Sequence, residues 1–74
     1  MHRNVRTPRL LGAAVRALRH ERELTQEQLA AASGISRRWI IDLEAGKGDN
    51  ASLGLTLALL EVLGASITLE TDAP

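Results

Sequence analysis

The chain has 74 residues, with nine Lys and Arg balancing nine Asp and Glu, two His, one Trp and no Cys, Phe or Tyr. That is one small domain with a limited core; lacking Cys, it has neither disulfides nor thiolate metal sites, which leaves a partner subunit as the favoured stabiliser. Its zero net charge hides a polarity, because residues 1–22 hold six Arg against one Glu, whereas residues 49–74 hold Asp49, Glu61, Glu70 and Asp72 and no base.

Residues 1–7 read as a flexible basic arm. Thr7-Pro8 then starts a helix over about 8–22, a hydroxyl cap followed by proline at the first helical position. Leu11, Ala14, Val15 and Leu18 repeat at helical spacing and make one apolar face, with Arg19 at its edge. Thr25 and Gln28 form a capping box for a second helix over 25–32, which Ser33-Gly34 stops. Ser36 caps a third, and Ile35 and Ile40 fit a hydrophobic staple across its start. On that helix Ile40, Leu43 and Glu44 share one face, while Arg37, Arg38, Ile41 and Asp42 point elsewhere. Gly46 ends it, and residues 46–50 are rich in turn formers.

A fourth helix is expected from Ser52 to Leu63, with Gly64 closing it. Leu53, Leu57, Leu59, Leu60, Val62 and Leu63 cover most of its girth, which implies burial on two sides and hence an intermolecular face. Residues 65–71 alternate, with Ile67 and Leu69 set between Ser66, Thr68 and Glu70, which is the period of a strand. A single strand in a helical chain must pair with another copy or another protein, or stay a tail. Leu60, Leu63, Ile67 and Leu69 are therefore the candidate dimer interface. The boundaries that follow are arm 1–7, helical domain 8–64, and dimerisation strand and tail 65–74, with 72–74 as terminal fray.

The segment Leu24-Thr25-Gln26-Glu27-Gln28-Leu29-Ala30, then Ser33-Gly34-Ile35-Ser36, then Ile40, Leu43, Glu44 and Gly46, is a capped helix, a tight turn and a second capped helix. That is the organisation of a helix-turn-helix. Over about residues 10–64 it resembles the lambda-repressor-like (Cro-repressor, XRE) family, with caps, turn glycine and closing Leu-Glu-x-Gly at family spacing. The resemblance implies an all-α, four-helix DNA-binding domain. The short fourth helix and residues 65–69 resemble HipB-type antitoxins, whose C-terminal strand pairs across a dimer.

The same resemblance implies that the helix over 37–45 enters the major groove. Arg37, Arg38 and Ile41, with Trp39 at the margin, are then the base-contact candidates: Arg matches guanine O6 and N7, and Ile41 a thymine methyl. The alternative for Arg37 and Arg38 is phosphate contact or plain solvation. Trp39 has two placements, against DNA or packed under the first helix. Gln26, Ser36, Lys47 and Asn50 are the DNA-backbone candidates, since helix N-termini and the loop after the reader helix offer donors to phosphate; simple support of the Thr25 cap is the alternative for Gln26. Arg19 and Glu44 lie on or beside apolar faces, where unpaired charge is costly, and the family carries an Arg–Glu bridge at these positions, so the pair is read as structural. Glu23 stands where relatives often have Gly, which implies a left-handed residue or an altered turn.

The function read from this is a homodimeric transcriptional repressor on a near-palindromic operator, with a HipA-like kinase toxin as protein partner if the HipB likeness extends to function. A module that neutralises a toxin or regulator by contact, with little DNA binding, is the alternative. No cofactor or metal is expected, because His2 and His20 are far apart and His20 reads as solvated. No Ser/His/Asp constellation or phosphate-cradling Gly loop points to an enzyme. No apolar run is long enough to span a membrane, and no signal peptide is read, so the expected location is cytoplasmic, with the nucleoid.

Overall fold

The computed structural model describes residues 2–72; the expectations for Met1, Ala73 and Pro74 lie outside the described residues. Among the described residues four helices follow one another: α1 Pro8–Glu21, α2 Gln26–Ser33, α3 Arg37–Glu44 and α4 Leu53–Val62. Each starts at a hydroxyl side chain that accepts from a backbone N–H three residues on. The pairs are Thr7 with Leu10, Thr25 with Gln28, Ser36 with Trp39 and Ser52 with Leu55. Such caps satisfy one of the orphan amides at a helix start and contribute about 1 kcal/mol each. The Thr25 N–H in turn donates to the Gln28 side chain, completing the capping box.

Three helix ends share one geometry. After α3, the Gly46 N–H meets the Leu43 carbonyl and the Lys47 N–H meets that of Asp42; after α4, Gly64 meets Glu61 and Ala65 meets Leu60. These paired bonds are Schellman closures, which require a left-handed residue just past the helix. After α1 the same closure is made by Glu23 and Leu24, onto the carbonyls of His20 and Arg19. Glu23 sits at φ 57, where every other positive φ among the described residues belongs to glycine. It carries the Cβ strain that a glycine avoids.

Val15, Leu29, Ile40, Leu43, Leu59 and Leu63 are fully buried and form the core, with Leu11, Leu18, Leu24 and Trp39 packed at its edge. The helix α3 lies against both α1 and α2, and α2 against α4. Gly12 sets the α1–α3 distance: a Cβ there would collide with the Leu43 carbonyl oxygen and stand 3.0 Å from that of Glu44. The staple residues Ile35 and Ile40 are both buried.

Two expectations change here. Residues 65–71 form no strand among the described residues; a strand exists by its inter-strand ladder. Leu60 and Leu63, expected on an intermolecular face, lie in the protomer's own core, 5% and 0% exposed. With Thr56 and Leu59 they form the inward stripe of α4; Leu53 and Leu57 are exposed along one edge of that stripe, and Leu55 and Val62 along the other.

Candidate nucleic-acid interface

Between α1 and α3, Arg19 meets Glu44 fork to fork. Its Nε donates to Oε2 at 2.8 Å and its Nη2 to Oε1 at 2.9 Å. The side chains are 9% and 4% exposed. A third donor, Nη1, goes to the Leu24 carbonyl at 2.9 Å, in the chain between α1 and α2. The hydrogen bond to Glu44 raises the Arg19 pKa above its ordinary value; burial opposes this, and the charge attraction adds to it.

Gln26 joins the same group. At the first residue of α2, its Nε2 donates to Glu44 Oε1 at 3.3 Å. Glu44 thus ties the end of α3 to the start of α2 as well as to α1. Sequence pattern offers Gln26 only DNA or its own cap as partners, and this bond to Glu44 is a third.

The exposed side of α3 presents Arg37 and Arg38 at its first two positions. Arg38 pairs with Asp42 one turn on, at 3.4 Å. Arg37 has no ion pair or side-chain hydrogen bond among the described residues. It borders a groove that His20, at the end of α1, and Thr25, Gln26 and Glu27, at the start of α2, also line. Ile41 and Trp39 are half-buried. Trp39 packs against the core edge and keeps part of its ring in solvent. The Ser36 hydroxyl oxygen accepts the Trp39 N–H as the cap of α3, which leaves its proton to donate. Lys47 and Asn50 are exposed on the loop after α3.

Three further residues make contacts around the site without having been candidates by sequence. Gly12 has a signal, since a mid-helix glycine costs stability unless a neighbour demands it. Arg22 donates from Nε to the Leu63 carbonyl at 3.1 Å, tying the end of α1 to the end of α4, and nothing local announces it. Arg3 stands 3.8 Å from Glu21, which brings the basic arm back along α1. Among the described residues no group of three or more His, Asp or Glu could hold a metal ion, and no helix is long and apolar enough to cross a membrane.

A family model for a helix-turn-helix domain matches residues 10–72. An uncharacterized HTH-type transcriptional regulator, y4mF, of Sinorhizobium fredii is 44% identical over 69 residues, which is 93% of this chain and 90% of that one. Among solved structures, a HipB–O4 20mer complex superposes with a TM-score of 0.84 at 28% identity, over 97% of this chain and 100% of its own. A HipB variant with an O2 20mer gives 0.86 at 27%, over 99% and 100%. A HipA–HipB–O2–O3 complex gives 0.84 at 28%, over 97% and 100%.

Proposed function

The chain belongs to the helix-turn-helix family of DNA-binding transcriptional regulators, a non-enzymatic family, and from that premise we propose that it is a repressor acting as a homodimer on a near-palindromic operator. The observation that carries this is the exposed start of α3. Two arginines open a helix whose other side is fixed to the core by Ile40, Leu43 and the Arg19–Glu44 fork. A helix held so firmly can present side chains to base edges at low ordering cost.

In this reading Arg37 and Arg38 take guanine edges, Ile41 and the exposed part of Trp39 meet neighbouring bases, and Gln26, Ser36, Lys47 and Asn50 hold the backbone. The dimer is built on the exposed leucines of α4 together with Ile67 and Leu69, the latter 92% exposed. Residues 65–71 then pair as strands across the dimer, and two α3 helices face half-sites about 34 Å apart. Residues 1–7 serve as the basic arm, 8–64 as the DNA-binding unit and 65–74 as the dimerisation segment, with the protein on DNA in the cytoplasm.

We further propose that it is the antitoxin of a HipBA-like pair, with a HipA-like kinase toxin as protein partner. The support is the likeness to HipB over nearly the whole chain, including HipB in the HipA–HipB–O2–O3 complex. A gel shift with the DNA upstream of its own gene tests the repressor reading, which predicts a salt-sensitive, sequence-selective complex. Co-purification with the product of an adjacent kinase-like reading frame tests the antitoxin reading.

A further inference from the structure

The arginines divide into two sets. Arg3, Arg19 and Arg38 are each paired with a carboxylate, and Arg22 is bound to the Leu63 carbonyl. Arg6, Arg9, Arg16 and Arg37 have no ion pair or side-chain hydrogen bond among the described residues. Three of these four line two adjoining grooves. Arg37 borders the groove with Gln26 described above. Arg9 and Arg16 border a second groove along α1, with Ala13 and Ala17 beside them and His20 common to both grooves.

Residues 9, 13, 16 and 20 fall on one face of α1, and Arg9 and Arg16 are two turns apart, about 10 Å. Ala45, at the end of α3, closes the groove, and Arg9 packs beside the Gly46 backbone. Among the described residues the sole carboxylate lining the groove is Glu44, and both of its oxygens are already engaged, by Arg19 and by Gln26. The field in the groove is therefore set by two unneutralised guanidiniums, and the small alanines let a chain of anionic groups come close.

We infer that this α1 groove binds the DNA phosphate backbone where it passes the C-terminal end of α3, with Arg9 and Arg16 as the phosphate contacts. The inference rests on the DNA-binding reading above. It extends the contact surface from α2, α3 and the following loop onto a helix not otherwise assigned to DNA. A helix in the major groove is flanked by both backbones, and the groove runs beside the end of α3 at Glu44 and Ala45. These contacts add affinity and salt dependence without base preference.

The test is operator binding by the full chain at several salt concentrations, comparing wild type with Arg9→Gln, Arg16→Gln, Arg16→Lys and the double Gln variant. Gln keeps helix propensity close to that of Arg, so folding, checked by circular dichroism, is retained. Each Gln variant should make the slope of log affinity against log salt shallower by about one unit per phosphate no longer neutralised, with unchanged preference among single-base-changed sites. Arg16→Lys should keep the wild-type slope. Wild-type slope and affinity in the double Gln variant, while wild type binds its operator selectively, would overturn the inference and leave the repressor reading standing. A wild-type chain that binds no DNA would overturn both, and altered base preference in Arg9→Gln or Arg16→Gln would show contact with bases and overturn the phosphate assignment.

Discussion

The Arg19 guanidinium and the Glu44 carboxylate share two hydrogen bonds, of 2.8 and 2.9 Å, although they lie 25 residues apart in sequence. Both side chains are buried, so removing one strands the other. Glu44→Ala should cost about 3–5 kcal/mol, measured by urea denaturation, and Arg19→Met with Glu44→Leu much less. A loss under about 0.5 kcal/mol for Glu44→Ala is the behaviour of a solvated surface pair and would contradict the burial. The Arg19 pKa is raised, so its share of stability is complete below the ordinary arginine value and fades only as pH climbs through the raised one. This pair should therefore add no pH dependence from Arg19 across the neutral range.

Glu23 closes α1 at φ 57. Relief of the left-handed strain is worth about 1–2 kcal/mol, and the extra freedom a glycine gives the unfolded chain costs about 0.4–1 kcal/mol. The strain term wins. Glu23→Gly should stabilise by about 0.5–1 kcal/mol, seen as a rise in Tm, and a lower Tm would count against the strain.

Gly12→Ala should act in the opposite direction. Its Cβ meets backbone oxygens of Leu43 and Glu44, which cannot rotate aside as a side chain could. Overpacking of this kind costs about 1–3 kcal/mol, enough to lower Tm by several degrees in a domain this small. Because Leu43 and Glu44 belong to α3, DNA binding should weaken along with stability.

The two faces of α4 should respond differently. Leu57 is exposed and Leu60 is in the core. Leu60→Ala should cost about 2–5 kcal/mol through the cavity it leaves. Leu57→Asp should leave the protomer fold intact but lower the mass seen by light scattering from two chains to one. An intact protein that runs as one chain at micromolar concentration would contradict the dimer.

The helices are legible in the sequence because their ends carry their own chemistry: Thr7-Pro8, the Thr25–Gln28 box, Ser36 and Ser52 mark starts without reference to the rest of the fold. The left-handed turn at Glu23 is legible as a departure from glycine. The inward side of α4 is not, since leucines ring it and only packing decides that Leu60 and Leu63 go inward while Leu53 and Leu57 stay out. Nor is the Gln26–Glu44 bond, which joins residues 18 apart in sequence and depends on how α2 and α3 meet. The strand pattern at 65–71 reports a local preference whose ladder would have to come from outside the single chain.

On the proposed function, the first turn of α3 reads bases. The most direct measurement is operator affinity for Arg37→Ala and Arg38→Ala on matched and single-base-changed sites. If either arginine holds a guanine, its loss should cost about 1–3 kcal/mol per half-site and relax preference at one base position. If both variants keep wild-type affinity and wild-type base preference, the first turn of α3 is not the reader, and bases are read by other residues of the chain.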